Sequence, residues 1–218
     1  MRWSHLLFAH WAVDPPTVAS RLPDGVELDV RRGAAWLGVV PFLMTNIAPR
    51  WCPPLPGLSR FLELNLRTYV TVNGKPGVWF FSLDAESRIA VRVARTTFHL
   101  PYMDAGMSIE SSAGDVVKYA SRRTHRGEFA ARYEATYRPS GPYRSAEPGT
   151  LQHWLTARYC LYSADRRGRV YRGEIDHPPW QLAPAACETR VNTLGEAMGF
   201  TLSGEPHLMM AQPVNVHA

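Results

Sequence analysis

Two apolar segments joined by an Asn-Gly pair limit most strongly how this chain can fold. In the first, LELNLRTYVTV, apolar and polar side chains alternate with the period of two that is typical of a strand. The second, GVWFFSLDA, is rich in aromatic and β-branched residues, and Asn73-Gly74 between the two favours a type I′ turn. The sequence therefore predicts a long β-hairpin, one face of which carries Glu63, Asn65, Arg67 and Tyr69.

The other segments predict more strands and a few short helices. Residues 5–13 are predicted to form a strand buried on both faces, and residues 26–30 and 34–42 a second hairpin. Helices are predicted near 15–22, 87–98 and 150–162, where proline, serine or threonine begins a helical spacing of apolar residues. Strands outnumber helices, so we expect an α+β, mainly β protein: a closed or partly closed antiparallel β-barrel with short packed helices.

Two details of this prediction bear on the barrel surface. The helix near 87–98 is expected to cross over the sheet and to pack Ile89 and Val93 against it. The proline-rich stretch 49–56 is predicted to be a loop that caps the barrel mouth.

Composition narrows the classes of function. A chain of 218 residues, 45% hydrophobic and 20% charged, fits one globular domain spanning residues 1–218. The formal charge of +5 comes from scattered arginines without the aromatic–basic repeats of a recognition module, so no nucleic-acid partner is predicted. The N-terminal apolar run is short and is broken by two histidines, which predicts neither a signal peptide nor a membrane span.

The cysteines and histidines predict neither a metal site nor a cofactor. Cys52, Cys160 and Cys187 are far apart and form no CxxC pair, so we expect free thiols in a reducing cytoplasm. The histidines show no ligand spacing, and the Walker, dinucleotide and nucleophile-elbow motifs are absent. The partners left open are a small-molecule ligand and a second copy of the chain.

Several longer motifs resemble a known family. RTYV, PGVWFFSLDA, LPYMDA, YASRR, and RYCLY followed by IDHPPW resemble the YqjF-like family of uncharacterised bacterial proteins, the domain of unknown function 2071. The resemblance covers nearly the whole chain. It implies a bacterial protein and a fold, but no activity, because the family carries none.

The order of elements is also similar, more distantly, to the acetoacetate decarboxylase superfamily. There, a lysine after a tyrosine–proline pair forms a Schiff base with a β-keto acid, and a neighbouring charge and an apolar pocket lower its pKa. That motif resembles Leu100-Pro101-Tyr102-Met103 here, so Tyr102 and Met103 stand in the two lysine positions. The superfamily's glutamate falls near Glu63 and its first-strand arginine near Ser4. The resemblance implies the barrel and the location of the pocket, and it argues against decarboxylation through an imine.

The polar face of the central strand supplies the main site candidates. If this face lines a cavity, Glu63 acts as acid or base and Arg67 anchors an anion; the alternative is an exposed face or a structural ion pair. A buried charge needs a partner, and Glu63 is expected to pair with Arg67 or with Arg95 of the crossover helix. Arg95 is expected to bind the ligand where Glu63, Arg67 and Tyr102 converge on one cavity, and its alternative is an arginine on the helix surface. Tyr102 is expected to donate a hydrogen bond to a ligand carbonyl or to act as a weak acid, and its alternative is a core tyrosine.

Two further ligand-binding candidates and the lysines complete the set. His10 and Trp79 are named as residues of the pocket, although for His10 the interpretation as a satisfied core histidine is favoured. The only two lysines are Lys75, expected in solvent at the hairpin turn, and Lys118. Lys118 is expected on the surface; an inward Lys118 would restore imine chemistry.

The function expected from the sequence is therefore a coarse one. The protein is expected to bind or transform a small apolar or keto/carboxylate compound in a barrel pocket, without a Schiff-base lysine. The alternatives are a non-enzymatic small-molecule sensor or accessory binding protein, and a structural domain whose barrel is filled. The sequence leaves open whether the protein is an enzyme.

Overall fold

Strands dominate the part of the chain that the structure, a computed structural model, describes: residues 1–47, 59–112 and 114–217. In chain order the elements are β1 (Arg2–Ser4), β2 (Leu6–Val13), α1 (Pro15–Ala19), β3 (Glu27–Leu28), β4 (Ala35–Thr45), β5 (Arg60–Val72), β6 (Lys75–Ala85), α2 (Arg88–Thr97), β7 (Tyr102–Ser112), β8 (Val116–Arg123), β9 (Arg132–Pro139), β10 (Arg144–Ser145), α3 (Leu151–Thr156), β11 (Cys160–Ala164), β12 (Val170–Glu174), β13 (Gln181–Asn192), α4 (Leu194–Ala197), β14 (His207–Ala211) and β15 (Val214–Asn215). The predicted mainly β composition is confirmed. The loop predicted at 49–56 lies outside the described residues.

Nine strands close into a barrel. Their spatial order is β6-β7-β8-β9-β13-β14-β2-β4-β5, and β5 pairs again with β6. Neighbouring barrel strands are antiparallel except β6 and β7. Those two are parallel because α2 carries the chain back across the barrel between them, the connection that parallel strands require. The predicted barrel is therefore confirmed.

The hairpin of β5 and β6 has the predicted turn. The two strands pair from Val72 and Lys75 onwards, and Asn73 and Gly74 have φ values of 50° and 76°, as a type I′ turn demands. One irregularity in the register, between Leu66 and Arg67, shifts the pairing with β6 by one residue. Polar and apolar side chains of β5 still alternate between the two faces of the barrel wall.

On the side of the barrel formed by β2, β4, β5 and β6, both the inner and the outer face of the wall are buried. The inner cluster takes side chains from all nine strands, among them Leu64, Leu66, Tyr119 and Tyr133. The outer cluster covers β2, β4, β5 and β6 with side chains of α2, α3, the region around Trp180 and the C-terminal strands. The polar face of β5 points outwards, so it lies between the barrel wall and this cover rather than inside the barrel.

The second predicted hairpin is wrong. β3 pairs with β5, opposite Val70 and Thr71, and only a single bridge between Arg31 and Ala34 remains at the predicted turn. β4 is buried on both faces and needs a long strand on each side, which β2 and β5 provide and the two-residue β3 does not. The apolar pattern located the strands correctly but could not choose between neighbours.

The predicted helix at 150–162 is also too long. α3 ends at Thr156, and Cys160–Ala164 instead forms β11, which pairs with β6 and β12. The segment YCLY is rich in residues that fit a buried strand, and a place beside β6 outweighs its helical spacing. Cys160 is buried, as expected, but on a strand. α1 similarly ends at Ala19 rather than 22.

The crossover helix is placed correctly but packs through the opposite face. Val91 is fully buried, whereas Ile89 and Val93, the residues expected to face the sheet, are 59% and 51% exposed. Val91 lies on the other side of the helix from Ile89 and Val93, since successive residues are about 100° apart.

Candidate functional site

Glu63 and Tyr102 meet on the outer face of the barrel wall. On β6, Leu83 is paired with both Asn65 and Tyr102, and Ala85 lies directly beside Glu63. The small Ala85 leaves room above β6, and the Tyr102 hydroxyl reaches across it to donate a hydrogen bond of 2.6 Å to Glu63 Oε2. Asn65 Nδ2 donates a longer bond of 3.3 Å to Glu63 Oε1.

This pair combines a fixed donor with a group that titrates near neutrality. Burial raises the pKa of Glu63 to about 7, against the hydrogen bonds from Tyr102 and Asn65 and the charge of Arg67, which act to lower it. Burial, together with the charge and hydrogen bond of Glu63, raises the pKa of Tyr102 well above its ordinary value. Tyr102 therefore remains a donor, and Glu63 can take up or release a proton near pH 7, as general acid–base catalysis requires.

Arg67 is a second feature of the same face. Its guanidinium lies 5.1 Å from the centre of the Phe8 ring and 5.7 Å from that of Tyr69, and its Nη2 donates to the Tyr69 hydroxyl at 3.4 Å. Within the described residues no carboxylate oxygen lies within 4.0 Å of this guanidinium, so the expected Glu63–Arg67 ion pair is not formed. The Nε of Arg67 and the Oδ1 of Asn65 are both buried without a partner among the described residues.

His10 completes this group through Tyr69. Its Nε2 is 2.5 Å from the Tyr69 hydroxyl, and its ring is stacked on Phe8 with centroids 5.9 Å apart. Burial, with the charges of Arg67 and His207 as smaller causes, lowers the pKa of His10 well below its ordinary value. His10 is therefore a neutral imidazole, and its Nδ1 is buried without a partner among the described residues.

Gly38 allows His10 and Arg67 to come together. It is the direct neighbour of His10 on one side and of Arg67 on the other, and a Cβ at this position would lie 2.9 Å from His10 Nε2 and 3.5 Å from Arg67 Cγ. A side chain here would occupy the space that the imidazole fills.

We expect Gly38→Ala to lower the free energy of unfolding by about 1–3 kcal/mol, the usual cost of overpacking. A glycine within a strand is ordinarily less favourable than alanine, so destabilisation would report the clash. Gly106→Ala is the matched control, since a Cβ on this strand glycine meets nothing within 4 Å. Urea denaturation measures both variants, and equal stabilisation of the two would contradict the assigned contact.

Aromatic side chains cover the Arg67 group from the other side. Trp154 of α3 packs on Tyr69 with centroids 5.0 Å apart, and Arg158 lies 4.6 Å from the Trp154 ring and 5.1 Å from the Tyr69 ring. Arg158 differs from Arg67 because it is paired with Asp29 at 2.6 Å. Sequence reasoning missed this cover, because nothing local in α3 indicates which strand it contacts.

The remaining predicted site residues lie elsewhere. Trp79 is paired with Thr68, so its side chain faces the barrel interior, away from Arg67; the one-residue register shift does not bring it outwards. Within the part of the chain that the structure describes, Arg95 is hydrogen-bonded to the site through the backbone alone: it donates to the Tyr102 carbonyl at 2.7 Å, and it lies 3.8 Å from Glu128. Lys118 is exposed on β8, as the sequence suggested.

The chemistry that the group supports is proton transfer and anion binding. Two surface clefts of about 310 and 440 Å³ lie away from it, beside Lys118 and beside Phe200. Within residues 1–47, 59–112 and 114–217 there is no cluster of three or more His, Cys, Asp or Glu side chains suited to a metal ion. In the same residues, no helix has the length and apolar character needed to cross a membrane.

The fold is that of the acetoacetate decarboxylase-like proteins. The solved structure of the enduracididine biosynthesis enzyme MppR complexed with pyruvate is similar over 99% of this chain and 85% of its own, with a TM-score of 0.63 and 14% identity. Acetoacetate decarboxylase from Legionella pneumophila is similar over 100% of this chain and 85% of its own, with a TM-score of 0.60 and 12% identity. At these identities the likeness shows the fold alone.

The family is shown by closer matches. The model of DUF2071, described as an uncharacterized conserved protein, matches residues 1–215. The uncharacterized protein YqjF of Bacillus subtilis (strain 168) is 46% identical over 215 residues, which cover 98% of this chain and 87% of that protein. The chain belongs to the DUF2071 family, as its motifs predicted.

Proposed function

We propose that this protein binds a small carboxylate or keto compound between the barrel wall and its cover, with Arg67 as the anion anchor. The observation that carries this proposal is the guanidinium of Arg67, which is partly buried on aromatic rings and has no carboxylate within 4.0 Å among the described residues. Removing a cation from water without a counterion is costly, and a bound anion would offset that cost. The unpartnered Nε of Arg67 would be a second donor to it.

The Glu63–Tyr102 pair would orient the reactive end of such a ligand. In the structure the single Tyr102 hydroxyl hydrogen is donated to Glu63. When Glu63 is protonated, its own hydrogen can be donated to the Tyr102 oxygen, and the Tyr102 hydrogen is then free for a ligand carbonyl. The MppR structure that shares this fold holds pyruvate, a compound of the proposed class, which supports the proposal by analogy. Imine chemistry is left out of the proposal, because Lys118 is exposed and Lys75 is held by Glu174 at 2.8 Å.

Transformation of the ligand is favoured over binding alone by one observation. A carboxyl group whose pKa is about 7 suits proton transfer at neutral pH, whereas a sensor has no need of it. A non-enzymatic sensor remains the second candidate, and turnover of the bound compound separates the two. We infer a reducing cytoplasm as the place of action, because Cys160 and Cys187 are both free thiols.

We expect Arg67→Ala to weaken binding of short 2-oxo acids, such as pyruvate and 2-oxobutanoate, by about 30-fold or more. A charge pair of this kind is worth about 2 kcal/mol or more when one partner is truncated. Isothermal titration calorimetry measures the loss against Arg60→Ala, an exposed arginine on the same strand. Equal affinity of the wild type and Arg67→Ala would remove Arg67 from the site.

A neutral ketone provides a second control. Butanone lacks the carboxylate, so its affinity should be the same in both proteins within the error of the measurement. A parallel loss for the ketone would mean that Arg67→Ala disturbs packing rather than removing an anion anchor.

A further inference from the structure

His10 and His207 lie opposite each other on the neighbouring strands β2 and β14. They are direct partners in the antiparallel pair of β2 and β14, so their side chains lie on the same outer face of the barrel wall. The edge of the His10 ring formed by Nε2 and Cδ2 faces Gly38 on β4, because a Cβ there would lie 2.9 and 3.0 Å from these two atoms. The opposite edge, which contains Nδ1, therefore faces β14 and His207.

Each of the two imidazoles has an unpartnered nitrogen. His10 Nδ1 and His207 Nε2 are buried and have no hydrogen-bond partner among the described residues. Burial is the main cause that lowers the pKa of each, aided by the charge of Arg67 at His10 and of Arg32 at His207. Because neither nitrogen has a hydrogen-bond partner, a proton passing between these two neutral imidazoles on paired residues would move through a bridging water.

The hydrogen bonds at Tyr69 fix the direction in which a proton can move along this series of side chains. A guanidinium cannot accept, so Arg67 Nη2 donates to the Tyr69 oxygen, and the hydrogen of Tyr69 is free to point at His10 Nε2, 2.5 Å away. A neutral His10 that accepts at Nε2 carries its own proton on Nδ1, the nitrogen that faces His207. Each donor in the series Arg67, Tyr69, His10 thus has its hydrogen directed towards β14.

We propose that Tyr69, His10 and His207 form a proton relay, through which a proton removed from a carbon acid bound at Arg67 reaches solvent beside β14. This inference rests on the proposed function and adds a substrate class: oxo acids with an acidic hydrogen on the carbon next to the carbonyl. A ligand oxygen bound to Arg67 Nη2 lies next to the Tyr69 hydroxyl, because these two groups are 3.4 Å apart. His207 is only partly buried and forms the solvent end of the relay.

The transfer balances without an oxidant or a cofactor. The C–H bond of the ligand breaks, its electron pair becomes the enolate that Arg67 stabilises, and its proton goes to the Tyr69 oxygen. At the same time the hydroxyl proton of Tyr69 moves to His10 Nε2, and the Nδ1 proton of His10 passes to a bridging water, which gives one of its own protons to His207 Nε2. His207 releases its Nδ1 proton to solvent, and the return of a proton along the same path regenerates the ligand.

The relay predicts hydrogen exchange that is open to direct measurement. In D₂O, wild-type protein is expected to replace the methyl hydrogens of pyruvate by deuterium faster than buffer alone, as followed by ¹H NMR. Tyr69→Phe keeps the ring between Trp154 and the two guanidinium groups but removes the hydroxyl, and its exchange rate is expected to fall about 100-fold. The exchange rate of His207→Leu is expected to fall similarly. The control is His99→Leu, which replaces a histidine stacked on Tyr171 away from the relay, and its exchange rate is expected to equal that of the wild type.

The outcomes separate this inference from the proposed function. Failure of pyruvate to bind would count against the anion site, whereas Arg67-dependent binding with no exchange above buffer would overturn the relay alone. Undiminished exchange in Tyr69→Phe would overturn it as well.

A second measurement needs no ligand. ¹⁵N NMR of the imidazoles is expected to show His10 protonated on Nδ1, and exchange of that proton with solvent is expected to slow at least tenfold in His207→Leu. Protonation on Nε2 instead, or an unchanged exchange rate, would rule out the relay even if no oxo acid had yet been found to bind.

Discussion

Replacing Asp84 with alanine is expected to lower the free energy of unfolding by about 3–5 kcal/mol, the cost of leaving a buried charge without its partner. Asp84 lies inside the barrel and accepts a hydrogen bond of 2.8 Å from Arg123 Nε, and only 1% of either side chain is exposed. Without Asp84, the hydrogen bonds that Arg123 keeps among the described residues are those to the Phe129 carbonyl and the Met198 sulfur. For a chain of this size the melting temperature should fall by roughly 10 °C.

Two further variants test the cause of this loss. The double substitution Asp84→Leu and Arg123→Met is expected to recover most of the stability, because an apolar pair of similar volume removes the burial cost of both ions. Lys75→Ala, which breaks the exposed pair with Glu174, is expected to cost less than about 1 kcal/mol. Urea denaturation gives all three values, and a double variant as unstable as Asp84→Ala would point to lost shape rather than to a stranded charge.

Glu63→Gln is expected to stabilise the protein above pH 7 by about 3 kcal/mol relative to the wild type. The pKa of Glu63 is about 7 in the folded protein and 4.5 ordinarily, so the unfolded chain loses this proton first as pH rises. Ionisation therefore favours unfolding: the wild type loses this stability between pH 4.5 and 7, and none of it is lost below pH 4.5. Glutamine cannot ionise and keeps one oxygen to accept from Tyr102.

The measurement is the difference between wild type and Glu63→Gln in the free energy of unfolding, taken from pH 4 to 8. It should be small at pH 4, rise through pH 4.5 to 7 and level off above. Glu188→Gln, at an exposed position of β13, should give a flat difference over the same range. A flat difference for Glu63→Gln as well would show that Glu63 ionises as freely in the fold as in water.

The sequence predicted the barrel because its signals were local. The alternation along β5, the Asn73-Gly74 turn and the crossover helix each depend on residues close together in the chain. The errors concern partners: β3 joined β5 instead of β4, and the end of the third predicted helix became β11 beside β6. Strand pairing depends on which long strand is available in the folded protein, and a single amino-acid sequence does not contain that information.

The prediction of the candidate site was limited in the same way: its local features were predicted, and its contacts between strands were not. Alternation placed Glu63 and Arg67 on one face, and the predicted hairpin and crossover helix returned the chain so that Tyr102 lies beside that strand, but neither showed that this face is the outer one. The partners of Arg67 depend on contacts between β2, β4 and β5. The role of Gly38 in these contacts is the hardest to predict from the sequence, because a glycine contributes no side chain and leaves the space that the His10 imidazole fills. His10 was named as a candidate from the sequence, but its contacts with Tyr69 and Gly38 depend on the register of β2 with β4, which the sequence does not contain.

The burial of the barrel wall on both its inner and its outer face has a consequence for how this family can diversify. One layer of side chains inside the barrel holds the fold together, whereas the groups at Arg67 are shaped by a different layer, drawn from α3 and the region of His177 and Trp180. Substitutions in that outer layer change what fits against Arg67 without touching the packing that closes the barrel. If Arg67 anchors a ligand as proposed, substitutions in the outer layer would change the ligand while keeping the same framework, and that layer is where an altered preference should be engineered first.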